Sequence, residues 1–159
     1  REYKGIRLGW CRLSLIPSEF KDGKLVKLLA VVKKINEENQ TTMLLLTHDI
    51  AIVAQYADYI GVMYGGRLME YGTVLDVFKN PLSPYTKGLI CSTPSLLRKS
   101  DDIKPIPGTP INIVNLPKGC GFAERCENCV EKCKECVPEI SEISNNHFVY
   151  CFNHEKGGK

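Results

Sequence analysis

Tyr59-Ile60-Gly61-Val62-Met63-Tyr64-Gly65-Gly66-Arg67-Leu68-Met69-Glu70-Tyr71 is the stretch from which the fold is read. Residues 59–64 read as a strand and residues 67–71 as its antiparallel return. Between them Gly65-Gly66 is a tight-turn signal, since two-residue hairpin turns need backbone conformations that glycine adopts freely. Just upstream, Thr42-Met43-Leu44-Leu45-Leu46-Thr47 is a short continuous apolar run. Such a run suits a strand buried on both faces of a parallel sheet. A short helix with Ile50, Val53, Ala54 and Ala57 on one side separates the two. Strand, helix, strand is a βαβ unit, so residues 42–47 and 59–64 are expected to be parallel neighbours with a right-handed crossover.

Further upstream, Leu25, Leu28, Leu29, Val32 and Ile35 recur at helical spacing and predict an amphipathic helix over 24–38, with Asn39 as its stop. Residues 1–23 are basic through Arg1, Lys4, Arg7 and Arg12, are interrupted by Gly5, Gly9, Pro17 and Gly23, and read as irregular. Downstream, Thr73 caps a helix over 74–79, with Asp76 completing a capping-box variant. Asn80-Pro81 ends it, and Ser83-Pro84 opens the next, which runs to about Cys91 and stops before Pro94. Pro105, Pro107, Gly108, Pro110 and Pro117 make residues 98–118 read as an extended linker rather than a core element.

The chain has 159 residues, 43% of them hydrophobic and 25% charged, which is globular composition and excludes a wholly disordered chain. The net charge of +3 is too mild to argue for nucleic acid or a membrane surface. No apolar run approaches the roughly 18 residues that span a bilayer. The chain opens at Arg1 without a secretory leader, so a reduced, intracellular setting is expected.

Eight cysteines are present, and Cys120, Cys126, Cys129, Cys133, Cys136 and Cys151 crowd one end, leaving Cys11 and Cys91 alone. Close thiolates on a tight loop converge on a soft metal. Cys126-x2-Cys129 and Cys133-x2-Cys136 look like two zinc knuckles, although the three residues between the pairs are fewer than a zinc ribbon uses. An iron–sulfur cluster takes four thiolates over a larger volume and tolerates irregular spacing. The remaining readings are free thiols or disulfides, and six cysteines among charged residues argue against apolar packing. His48 ends the 42–47 run, where open α/β sheets bind ligands. Taken alone, a histidine there is more often a hydrogen-bonded structural residue, and Asp49 reads equally as the N-cap of the next helix. His147 and His154 flank Cys151 and read as ordinary loop histidines.

Thr41-Thr42-Met43-Leu44-Leu45-Leu46-Thr47-His48-Asp49 resembles the segment of ABC transporter ATPases that ends in the switch histidine, and 57–72 resembles its continuation. Asn80-Pro81-Leu82-Ser83-Pro84-Tyr85-Thr86-Lys87-Gly88-Leu89 resembles a stretch peculiar to the dipeptide/oligopeptide importers. Ile106-Pro107-Gly108-Thr109-Pro110 and Gly119-Cys120-Gly121-Phe122 through Arg125-Cys126 are similar to the C-terminal extension of that subfamily. The resemblance runs from about residue 25 to 152 and implies an α/β fold: an incomplete P-loop NTPase domain with parallel strands, then a small irregular cysteine-rich extension. It divides the chain into an unmatched segment 1–23, the end of an ATPase domain over 24–97, and the extension over 98–159.

By this resemblance His48 would contact the γ-phosphate of ATP and help orient the attacking water, a positioning role. Members with an iron–sulfur centre use Cys-x5-Cys-x6-Cys and a distant fourth cysteine, which Cys120, Cys126, Cys133 and Cys151 match. Cys129 and Cys136 are then extra and keep zinc open as the alternative to a 4Fe-4S cluster. The phosphate-binding Gly-x4-Gly-Lys-[Ser/Thr] loop, the signature sequence and the acidic strand that carries the Mg²⁺ ligand and catalytic Glu are absent from these 159 residues. The reading is therefore a C-terminal fragment of the energy-coupling subunit of a peptide importer, inactive as an ATPase by itself. ATP and Mg²⁺ belong to the full-length subunit. Its expected partners are a second ATPase subunit, transmembrane permeases and, indirectly, a peptide-binding protein, with no nucleic acid, at the cytoplasmic face of the plasma membrane. The alternative is a stand-alone metal or iron–sulfur module, or a gene remnant.

Overall fold

The computed structural model describes residues 38–39, 42–93 and 104–154. The chain divides into two compact units, residues 1–43 and 44–159. In the first, Glu38 and Asn39 are helical and Thr42 and Met43 carry no regular structure. The rest of the helix expected over 24–38, the segment 1–23 and the start of the expected linker lie outside the described residues.

The second unit is built on the hairpin. Strand β1 (Tyr59–Tyr64) and strand β2 (Arg67–Thr73) pair antiparallel, with Tyr64 opposite Arg67 and Ile60 opposite Gly72. Gly65 and Gly66 both hold positive φ, 55° and 76°, as a two-residue turn between right-twisted strands requires. Side chains alternate along β1, and Ile60, Val62 and Tyr64 are buried. The register slips after Val62, and at this bulge Met69 and Glu70 of β2 are both buried.

Helix α1 (Ile50–Tyr56) precedes the hairpin and is capped by Asp49, whose carboxylate accepts from the amides of Ala51 and Ile52 at 2.9 and 3.3 Å. Helix α2 (Val74–Lys79) follows β2, with the Thr73 hydroxyl accepting from the Asp76 amide at 3.1 Å, as the capping pattern predicts. Helix α3 (Pro84–Ser92) begins at Pro84. Ile50, Ile60, Val62 and Val77 form one core cluster, joined by Val53, Phe78, Tyr85 and Leu89.

Two further strands come from the far end of the chain. Strand β3 (Ser141–Ser144) and strand β4 (His147–Val149) form a second hairpin, and β4 pairs antiparallel with β2 through Glu70–Val149 and Tyr71–Phe148. The sheet order is β1-β2-β4-β3, and every pairing in it is antiparallel. The extension thus completes the sheet that the hairpin starts.

The expectation of a buried parallel strand at 42–47 is corrected. Residues 42–47 take no strand pairing, and Leu44 and Leu46 are 82% and 84% exposed. A short parallel strand is stable only with layers covering both faces, and here Met43 and Leu45 are half-buried while Leu44 and Leu46 stay uncovered. The linker reading of 98–118 is corrected at Ile106 and Ile111, while the other described residues of 104–118 are exposed. Ile106 and Ile111 pack on a second core cluster of Tyr64, Met69 and Phe122. Arg125 holds the segment down, donating to the carbonyls of Pro107 and Ile106 at 2.7 and 3.1 Å and to the Tyr64 hydroxyl at 3.1 Å. Prolines here keep the chain extended while its apolar side chains dock, so proline content alone misreads it.

Candidate metal centre

The cysteine segment is anchored on the hairpin before any thiol is placed. The Arg67 guanidinium donates to the Gly119 carbonyl at 2.8 Å, and the Cys120 amide donates to the Cys133 carbonyl at 2.7 Å. Gly119 is needed at this crossing, because a Cβ there would run into the Cys133 carbonyl oxygen and lie 2.6 Å from the Lys134 carbonyl carbon. A 3₁₀ turn over Ala123–Arg125 brings the chain round to Cys126. Helix α4 (Glu131–Glu135) buries Cys133 alone among its residues. The Tyr150 amide donates to the Met69 carbonyl at 2.9 Å, so β2 directs the chain into Cys151.

Four thiols meet at one place as a result. Cys120, Cys126, Cys133 and Cys151 line a single cavity of about 20 Å³, walled by Met69, Phe122, Pro138 and Phe152. Cys129 and Cys136 are not among its lining residues. The Cys129 thiol turns to the Val130 carbonyl and the Cys136 thiol to the Lys132 carbonyl, both at 3.5 Å. By the lining of the cavity the six-cysteine cluster divides into a four and a pair, although Cys129 still meets the Cys133 side chain. Among the described residues, no three His, Cys, Asp or Glu side chains stand close enough together to hold a single metal ion. The four thiols surround a space rather than a point.

Burial sets the chemistry of these thiols. It pushes Cys126 up from its ordinary 9.0 to about 11, with the neighbouring cysteines adding to the effect. It raises Cys120 and Cys151 in the same way, opposed by backbone N–H donors and, more weakly, by Arg67 at Cys120 and Lys87 at Cys151. Such thiols hold their protons at neutral pH until a cation displaces them.

One support of the site gives no signal in the sequence. The Glu70 carboxylate, fully buried, accepts from the amides of Leu82 and Ser83, both at 2.9 Å, and lies 2.8 Å from His147 Nε2. It ties β2, β4 and the start of α3 together beside the cavity. His147, expected to be an ordinary loop histidine, is 3% exposed. His154 Nδ1 contacts the Cys151 carbonyl at 2.6 Å. His48 is exposed at a bend before α1 and is not among the residues lining the cysteine cavity.

The profile of the oligopeptide/dipeptide transporter C-terminal region matches residues 69–133, from β2 through Cys133. Over about four fifths of its length the chain is similar to the ATP-binding proteins of peptide transporters. It is 39% identical over 130 residues to the dipeptide transport ATP-binding protein DppD of Caldanaerobacter subterraneus subsp. tengcongensis, covering 82% of this chain and 40% of that protein. Identity to DppD of Bacillus subtilis is 40% over 126 residues, 79% of this chain and 38% of the relative. Against the oligopeptide transport ATP-binding protein OppD of Escherichia coli it is 36% over 126 residues, 79% and 37%. The chain thus spans about two fifths of the length of these relatives. The matched peptide-transporter region contains three of the four cavity cysteines, and the fourth comes from the turn after β4. Among the described residues no helix is long and apolar enough to cross a membrane.

Proposed function

We propose that this chain is the C-terminal part of the energy-coupling, ATP-binding subunit of a dipeptide or oligopeptide ABC importer, and that its four cavity cysteines hold a 4Fe-4S cluster. The observation that carries this reading is the gathering of Cys120, Cys126, Cys133 and Cys151 round one apolar cavity, the first three inside the region matched by the peptide-transporter profile. Four thiols around a space suit a multi-iron group better than a single Zn²⁺. The cavity has room for about one water, so loading spreads the thiols and releases their protons. The cluster acts as a staple, fixing the extension over 98–159 to the end of the ATPase domain over 24–97.

In this reading the segment upstream supplies the phosphate-binding loop, the Mg²⁺ ligand and the parallel strands against which residues 42–47 pair. His48 then reaches the γ-phosphate and positions the attacking water. Two such ATPase subunits act on transmembrane permeases at the cytoplasmic face, with peptide delivered by a binding protein. The exposure of Leu44 and Leu46 supports a missing layer over this run. The test is Mg²⁺-dependent ATP turnover. The 159 residues alone are expected to give none, and a chain restored with an upstream phosphate-loop segment is expected to turn over and to lose activity on His48→Ala. Turnover by the 159 residues, lost on His48→Ala, contradicts the assignment. The compactness of residues 44–159 favours one other reading, a stand-alone metal module. That reading is preferred if the upstream reading frame encodes no phosphate loop.

A further inference from the structure

We propose that the Ser83 hydroxyl, at the start of α3, donates a hydrogen bond to the group held by Cys120, Cys126, Cys133 and Cys151 and sets its reduction potential. This rests on the four-cysteine reading above and gives α3 a specific part in it. Ser83 is fully buried, and its hydroxyl oxygen has no hydrogen-bond partner. A buried hydroxyl without a partner is costly, and most are satisfied. Thr86, the other such side chain among the described residues, does not line the cavity, whereas Ser83 does.

The local geometry explains why the hydroxyl stays free. Serine at a helix start ordinarily turns its oxygen back onto an amide of the first turn, yet Ser83 makes no such capping bond. Its backbone is held from both sides: the amide donates to Glu70 at 2.9 Å, and the carbonyl accepts from the Lys87 amide at 3.0 Å. Ser83 lines the cavity beside Met69, Phe122 and Phe152, and no neighbour there bonds its hydroxyl. An occupant with anionic sulfur supplies the missing acceptor. The same end of α3 carries partial positive charge, which suits an anionic occupant. Hydrogen bonds to the sulfurs are among the factors that set iron–sulfur potentials, because they favour the more negatively charged, reduced state.

The test uses the full chain, reconstituted anaerobically with Fe³⁺, sulfide and dithiothreitol, which supplies the two electrons a 4Fe-4S group needs, and compares it with Ser83→Ala and Ser83→Thr. Iron and sulfide are quantified, and the midpoint potential is read by titration with dithionite, which donates the electron. Ser83→Ala is expected to load as much iron and sulfide as the parent but to show a lower potential, with the equilibrium constant for one-electron reduction falling about tenfold. Ser83→Thr, which keeps the hydroxyl, restores the potential. The metal-free Ser83→Ala chain is expected to be no less stable than the parent, since the variant removes an unpaired group. Equal loading with unchanged potential overturns the proposal and leaves the four-cysteine reading standing. A metal-free Ser83→Ala chain that unfolds more easily than the parent makes the hydroxyl structural and also overturns it. Failure of the parent chain itself to take up iron and sulfide overturns both readings.

Discussion

Glu70 is a single acidic residue in a strand, and much of the second unit's long-range order passes through it. Its carboxylate binds two amides at the start of α3 and lies against His147, 77 residues further along the chain. Removing His147 takes one of three partners from this buried carboxylate, which keeps the two amides. His147→Ala is therefore expected to destabilise the chain by about 2 kcal/mol, read as a lower midpoint in urea unfolding. A midpoint within experimental scatter of the parent's contradicts the role assigned to the pair. This residue was not legible in the sequence. In a hairpin read by itself, Glu70 looks solvent-facing, and its burial depends on β4, which has no local signal tying it to β2. His147 beside Cys151 invites a metal reading or a bland one, and neither is a buried carboxylate partner.

Elements with local chemistry were legible, and those that depend on distant neighbours were not. Asp49 and Thr73 mark the starts of α1 and α2 because capping is a short-range effect, Pro84 marks that of α3 because its fixed φ suits the first helical position while Ser83 makes no side-chain cap, and Gly65-Gly66 marks the turn by equally local chemistry. Residues 42–47 failed because an apolar run states only that it needs covering. Residues 104–111 failed in the opposite sense, since their docking is decided by Arg125 and Tyr64, not by their own prolines.

Helix α3 also carries a pH prediction. Tyr85 packs against Tyr64 and Phe122 with ring centroids 4.7 and 5.2 Å away. Burial raises its pKa above the ordinary 10.0, and the neighbouring Tyr64 adds to this while Arg125 opposes it. The folded chain then holds this proton where the unfolded chain has released it. Stability from this group is fully present below about pH 10 and falls as pH rises toward the raised value. In urea unfolding, the parent is expected to lose stability more steeply than Tyr85→Phe above about pH 10, with matching slopes below it. Parallel curves throughout contradict the burial assigned to this phenol.

At the scale of the molecule, residues 44–159 form one compact unit in which an extension and a hairpin share a sheet. That arrangement separates the six clustered cysteines into four around a cavity and two outside it. Spacing alone left zinc knuckles and an iron–sulfur set both open, because it does not reveal that Cys151 returns beside Cys120 by way of β4. The resemblance to peptide importers implies the same four as ligands, and all four line the cavity. The most direct measurement is the iron and sulfide content and visible absorption of the full chain after anaerobic reconstitution, beside Cys133→Ser and Cys136→Ser. The account predicts broad visible bands for the parent and for Cys136→Ser, and their loss in Cys133→Ser. Equal loss in Cys136→Ser, or a colourless parent that binds only Zn²⁺, contradicts it.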